Sequence, residues 1–367
     1  MSKIGILSMQ RIKNYGSVLQ AYALKSIVEE LGHSVEFVDY NVEKPLVKNT
    51  KKQGKIAKGL ESLKGKALLK HKIQYILHKR NFEKKYFKIL NLSDKPNFQA
   101  KVDTLIIGSD EVFNCIQSNK NVGYSLELFG KDNNASNVIT YAASFGNTTI
   151  EKIDRYSKRK ELSGLLKNIK SISVRDDNSY KIIKELTGKD SVQNLDPVLI
   201  YEFMKKDKLI PKINVKEKYI IVYAYSKRIR NDEARVIHEF AKKNNLKVYT
   251  IGGVQEYVDK FVDCSPFEVL AYFKNAEYIV TDTFHGSIFS IINHKKFVTL
   301  VRKSYGENYG NEEKLTDLLK NLKLNDRMLY DIKELEDKIN SDINYSEVEK
   351  ILDIEKEKTK NYLKENL

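Results

Sequence analysis

KIGILSMQRIKNYGSVLQAYALKSIVEELGHSVEFVDY, residues 3–40, is the stretch that decides the fold. Residues 3–8 form an apolar run of strand length, 11–17 a polar loop with one glycine, 18–31 an amphipathic helical pattern, and 35–40 a second apolar strand. A strand, loop, helix and strand in that order predict an open parallel sheet, in which ligands bind at the C-terminal ends of the strands. The loop Asn14-Tyr15-Gly16-Ser17 falls at that edge. Gly16 suits a tight turn, Ser17 suits a helix cap, and first-turn amides can receive a carboxylate, phosphate or hydroxyl. The same loop could equally do no more than turn the chain.

The alternation continues along the 367 residues. Strands are expected at 102–107, 138–141, 171–174 and 192–195, with helices at 162–169 and at 179–186 behind an Asn178 cap. After a lysine-rich passage with Pro211 come strands at 219–225, 247–251, 278–281 and 296–300, and helices at 232–243, 288–292 and 313–319. Ser265-Pro266-Phe267-Glu268 is a strong helix start: Ser caps, Pro takes the first helical position, and Glu stands three residues beyond the cap. The expectation is an α/β protein of two Rossmann-like domains, 1–205 and 206–330, with a basic helical insertion at 44–95 and a charged helical tail at 331–367.

Composition narrows the function classes. The chain has 41% hydrophobic and 10% aromatic residues, which excludes a largely disordered protein. No apolar run approaches 18 residues and no signal-peptide pattern is seen, so a cytoplasmic, non-spanning protein is expected. Two cysteines, Cys115 and Cys264, make neither a disulfide framework nor a metal site, and no histidine pair has ligand spacing. The net charge of +15 sits almost wholly in residues 44–95, where 15 Lys and one Arg face Glu61, Glu83 and Asp94. Within that stretch Leu68, Ile73, Tyr75, Ile76, Leu77 and Phe82 lie among lysines, as in an amphipathic helix able to approach anionic lipid or polymer; a merely solvated helix fits as well. Nucleic acid is disfavoured, because the charge is segmental and the aromatics form no stacking platform. The sequence sets no oligomeric state.

The chemistry-bearing residues cluster at strand ends. Asp282-Thr283-Phe284-His285-Gly286-Ser287 follows the 278–281 strand, and His285 there can exchange a proton near neutral pH beside the amides of Gly286 and Ser287. In Gly108-Ser109-Asp110-Glu111-Val112-Phe113-Asn114, Asp110 could orient a hydroxyl, accept its proton or cap its neighbours, with Ser109 and Asn114 as further substrate contacts. Arg175 ends another strand and could fork onto a carboxylate or phosphate, or form a structural salt bridge. Tyr225 and Gly252 occupy comparable ends in the second domain. No Walker motif and no G-x-G-x-x-G is present, which argues against phosphate-bond hydrolysis and dinucleotide binding.

The stretch 3–40, together with DTLIIGSDEVFN, YAASFG, SISVRDDNS, LDPVLI and SPFEVLAYFKNAEYIVTDTFHGSIFSIINHKKFV, resembles the polysaccharide pyruvyl transferase family in order and spacing over residues 3–330. The resemblance implies a GT-B-like architecture and a metal-independent enzyme without a cofactor. Its donor substrate would be phosphoenolpyruvate, and its acceptor a nucleotide- or lipid-linked saccharide that receives a pyruvate ketal. By analogy His285 would be the general acid, Asn14, Gly16 and Ser17 would shape the cleft between the domains, Asp110 would contact the acceptor, and Arg175, Thr283, Gly286 and Ser287 would lie around the donor. In the family an arginine often stands where this chain has Thr283, and Gln and Trp where it has Glu111 and Phe113. Arg175, Arg228, Arg302 or Lys303 could then supply the missing charge, or the donor could equally be a different one. Two alternatives remain open at this level: a GT-B glycosyltransferase using a nucleotide-sugar donor around Tyr225 and Gly252, and a basic anionic-polymer or nucleic-acid binding protein.

Overall fold

The computed structural model describes residues 1–47, 67–98, 100–206, 208–303 and 311–367. The part of the basic stretch between 48 and 66 lies outside the described residues. The chain divides into two compact units. Among the described residues the first comprises 1–47, 87–201 and 351–367, and the second comprises 67–86, 202–303 and 311–350.

The first unit carries six parallel strands in the order β2-β1-β3-β4-β5-β6: β1 Lys3–Leu7, β2 Ser34–Phe37, β3 Thr104–Asp110, β4 Asn137–Ala143, β5 Ser173–Val174 and β6 Val192–Gln193. Register is set by apolar rows such as Ile6 opposite Ile106 and Ile106 opposite Ile139. These strands are near-continuous apolar runs because helices cover both faces of a parallel sheet. From β1 the chain passes to β2 on one side and later to β3 on the other, so the strand order reverses between β1 and β3.

The second unit repeats the plan. Its six parallel strands run β12-β11-β10-β7-β8-β9, where β7 is Tyr219–Tyr223, β8 Lys247–Ile251, β9 Lys260–Phe261, β10 Tyr278–Thr281, β11 Lys296–Leu300 and β12 Met328–Leu329. Here the order reverses between β7 and β10. Both sheets are thus Rossmann-like, and each has one topological switch point, the crevice where such folds bind ligands.

The structure differs from the sequence expectation in local ways that matter for the site. The first helix is Tyr15–Glu30, and its cap is Asn14, whose side chain accepts from the Gly16 amide at 2.8 Å; Ser17 and Gly16 therefore sit inside the first turn. Likewise Asp176 caps the Asp177–Thr187 helix in place of Asn178. The Phe284–Ile292 helix begins four residues before 288 under a Thr283 cap. In each case a side-chain acceptor closer to the strand end wins the first-turn amides.

The Leu69–Tyr86 helix belongs to the second unit, where Tyr75 and His78 meet Phe261 of β9 with ring centroids 5.9 and 6.2 Å apart. The tail is not a separate body. Residues 351–367 join the first unit: Tyr362 donates to the Thr140 carbonyl at 2.8 Å, and the Thr359 and Tyr141 hydroxyls meet at 3.2 Å. The 205/206 boundary falls inside the Phe203–Lys206 helix of the second unit.

Candidate active site

In the first unit, the loop after β1 and the end of β3 meet at the switch point. Ser17 Oγ donates to Asp110 Oδ2 at 3.0 Å, and Ser8 Oγ donates to the Ser109 carbonyl at 2.9 Å. Gly108, at φ +125°, makes the close approach of β3 to β4 possible: a Cβ there would lie 2.2 Å from the Tyr141 carbonyl oxygen. Behind Asp110 stands Arg175, whose side chain is 3% exposed, with Nη1 2.9 Å from Asp196 Oδ2 and Nη2 3.6 Å from Asp110 Oδ1. Burial pulls its pKa down, but Asp110, Asp196 and Asp176 outweigh that and raise it. Arg175 thus forms the buried salt bridge to Asp196 and sets a cation beside the Asp110 carboxylate.

Two other candidates of this unit are turned inward. Ser109 is fully buried and donates to the Ala142 carbonyl at 3.1 Å. Asn114 donates to Glu111 Oε2 at 2.8 Å and accepts from the Thr148 hydroxyl, so its side chain is committed to the loop. Both spend these hydrogen bonds on the chain itself, because a strand-to-loop passage that tight consumes its own polar groups. Glu111 faces Asn114, and Phe113 is core, stacked on Phe129 with centroids 4.9 Å apart.

In the second unit the hexapeptide after β10 is arranged around its cap. Thr283 Oγ1 accepts from the Gly286 amide at 2.9 Å, and the Ser287 amide donates to the Thr283 carbonyl. The Gly286 and Ser287 amides expected to hold an anion are therefore already bonded within the helix. The Ser287 hydroxyl is buried against Thr299 at 2.8 Å. Gly286 is required by packing, since a Cβ would lie 2.1 Å from Thr281 Oγ1 and 2.7 Å from Thr283 Oγ1. Asp282, Thr283, Phe284, Gly286 and Ser287 are all buried, whereas His285, its ring packed edgewise on Phe284 and its Nε2 buried, is as a residue only half-buried.

Across the switch point, the loop after β7 supplies a cation. Arg228 Nε lies 2.7 Å from Asp282 Oδ2, off the line of a well-aligned hydrogen bond. Asp282 is fully buried, and that burial raises its pKa despite Arg228 and Arg302. Arg302 forks onto the buried Glu233 and donates to the Arg228 carbonyl at 3.2 Å. Asn311 completes the frame by donating to the Asp282 carbonyl at 2.7 Å and accepting from the Arg302 amide at 2.6 Å. Of the four cations considered for the missing charge, Arg175 is paired with Asp196 and Arg302 with Glu233, while Arg228 lies at the edge with a 30% exposed side chain. Tyr225 is exposed beside it, with the Arg228 guanidinium 5.8 Å from its ring centroid, and Gly252 follows β8 on the next strand end.

Asp282, Glu233 and Asn311 were not singled out from the sequence. Asp282 carried a signal, an acid directly at a strand end, but Glu233 reads as an ordinary capping-box residue and Asn311 as loop. No group of three His, Cys, Asp or Glu side chains stands in metal-holding geometry among the described residues, and no helix there is long and apolar enough to cross a membrane.

Two parallel-sheet units, each with charged side chains gathered at its switch point, define a two-Rossmann enzyme fold of GT-B-like composition. The chain belongs to the polysaccharide pyruvyl transferase family, whose model matches residues 14–304. It is accordingly an enzyme of the pyruvyl-transferase type, dependent on phosphoenolpyruvate and acting on a polysaccharide. No curated protein matches it. Among solved structures it is similar to the S. aureus MnaA–UDP co-structure at 10% identity, covering 95% of this chain and 90% of that one, with a TM-score of 0.49. The UDP-GlcNAc 2-epimerase of Methanocaldococcus jannaschii is also similar at 10% identity, covering 96% and 99%, with a TM-score of 0.48.

Proposed function

We propose that the protein transfers the enolpyruvyl unit of phosphoenolpyruvate to a sugar hydroxyl of a surface-polysaccharide precursor, closing a pyruvate ketal, with His285 as general acid. The observation that carries the assignment is the exposure pattern after β10: five of six residues are buried, and the one that keeps open surface is the histidine. Arg228, held by Asp282 at the same switch point, provides positive charge for the carboxylate or phosphate of the donor. Asp110, held by Ser17 and Arg175, orients the acceptor hydroxyl and accepts its proton.

In the reaction His285 delivers a proton to the methylene carbon, which becomes a methyl group and leaves positive charge on the adjacent carbon. A sugar hydroxyl adds there. A second hydroxyl of the same sugar then displaces phosphate, forming the second C–O bond of the ketal as the C–O bond to phosphate breaks. Of the two hydroxyl protons released, one is taken by Asp110 and returned through solvent to restore His285, and the other leaves with phosphate, so no redox partner is needed.

The acceptor in this reading is a nucleotide- or lipid-linked saccharide. The enzyme works in the cytoplasm, and the basic stretch 44–95 brings it to the anionic inner face of the membrane. Incubation with phosphoenolpyruvate and a panel of such sugars tests the assignment by phosphate release and product mass. Acceptor-dependent phosphate together with the mass gain of a pyruvate ketal is expected. Turnover of nucleotide sugars without phosphoenolpyruvate would overturn it.

A further inference from the structure

The Leu69–Tyr86 helix has two apolar faces, and among the described residues only one of them is used by the fold. Its inner face buries His71, His78, Phe82 and Tyr86, and His78 Nδ1 meets Asp263 Oδ1 at 2.6 Å while its ring lies edge-on to Phe261. Its outer face carries Leu69, Ile73, Ile76 and Leu77, which are 60%, 48%, 41% and 48% exposed. The spacing i, i+4, i+7, i+8 makes these one stripe. Arg80 and Lys84, both exposed, extend it toward the C-terminal end, with Lys70 beside its first turn. The only acid on the helix is Glu83.

Four large aliphatic side chains on a solvated helix are not a consequence of packing, because the inner face already anchors the element. An exposed apolar patch flanked by cations fits a partner that offers hydrocarbon and negative charge together. A second copy of the chain would set lysines and arginines against their equals. A polysaccharide or nucleic acid would answer the charge but offer no seat for Leu69, Ile73, Ile76 and Leu77. We infer that this stripe is a docking face for an anionic lipid surface: the four aliphatic side chains enter the boundary between headgroups and acyl chains, and Lys70, Arg80 and Lys84 contact the lipid phosphates. The inference sharpens the membrane contact assigned above to residues 44–95.

Co-sedimentation of the full chain with vesicles reads this without turnover, so failure here leaves the transfer chemistry standing. The protein is expected to bind phosphatidylcholine vesicles carrying one-third phosphatidylglycerol and not pure phosphatidylcholine, and to be released by salt. The Ile73→Ser/Ile76→Ser/Leu77→Ser variant should bind the anionic vesicles at least about tenfold more weakly, with an unchanged melting curve. Arg80→Glu/Lys84→Glu, which leaves the aliphatic stripe intact, should lose binding to a similar degree. Equal vesicle binding by the serine variant, or none by the wild type, overturns the inference. So does a concentration-dependent dimer in sedimentation that the serine variant abolishes while vesicle binding persists, since the stripe would then be a protein interface.

Discussion

Ser17 and Asp110 are joined by a 3.0 Å hydrogen bond from hydroxyl to carboxylate, which ties the first turn of the Tyr15–Glu30 helix to the end of β3 across the first switch point. With Arg175 behind it, the Asp110 carboxylate is held from two sides. A hydrogen bond to a charged group contributes about 1.5–3 kcal/mol. Ser17→Ala should therefore lower stability in urea by about 1–2 kcal/mol, with Ser17→Thr closer to wild type. Asp110→Asn, which keeps the shape and removes the base, should lower kcat by roughly 10²-fold or more while circular dichroism is unchanged. Full activity in Asp110→Asn would remove this residue from the chemistry.

How much of this was readable beforehand depended on distance along the chain. The Ser265–Glu268 capping box was legible because donor and acceptor are three residues apart, and the structure reproduces it with Pro266 at the first helical position. The strands other than the two-residue edge strands β9 and β12 were legible as apolar runs, and two Rossmann-like sheets followed from their alternation with helices. Where the neighbouring side chains competed for the same amides, the reading failed: Thr283, not Gly286-Ser287, organises the helix start after β10. The Arg228–Asp282 pair joins positions 54 residues apart and becomes visible only once β7 and β10 are adjacent. The 69–86 helix hid its orientation for a different reason. With apolar residues on both faces, periodicity does not say that His78 and Phe82 go in while Ile73 and Leu77 stay out.

Arg228 is expected to be the donor-gripping cation of the second unit. Loss of one charge-assisted hydrogen bond corresponds to roughly 10–100-fold in affinity. Arg228→Met should raise KM for phosphoenolpyruvate by about that factor with a smaller change in kcat. Arg228→Lys should recover part of it, because the charge is kept and the planar fork is not. An unchanged KM in Arg228→Met would assign the donor anion to another cation.

Asp282 gives the second unit a pH signature. Its carboxyl is buried, and desolvation raises its pKa above the ordinary aspartate value of about 3.9. The folded state then holds this proton over a pH range in which the unfolded chain has released it. Its contribution to stability is full below about pH 3.9 and is lost as pH rises through the raised value. Asp282→Asn cannot ionise and lacks that loss. The melting temperature of Asp282→Asn relative to wild type should therefore climb as pH is raised from about 4 toward neutrality. A difference that is flat with pH would mean that the folded and unfolded carboxyls titrate alike.

His285 is the last and most direct test. As general acid it must deliver a proton to the methylene carbon of the bound donor. His285→Gln keeps a hydrogen-bonding side chain in the first turn of the Phe284–Ile292 helix but has no proton to give. The expected result is a kcat lower by roughly 10²–10⁴-fold with little change in KM for the donor. Thr283 and Gly286 hold the helix start independently of the ring, so the melting temperature should stay close to wild type. A variant that loses donor binding in proportion to turnover would show instead that the histidine positions the anion, and the proton would then have to come from elsewhere.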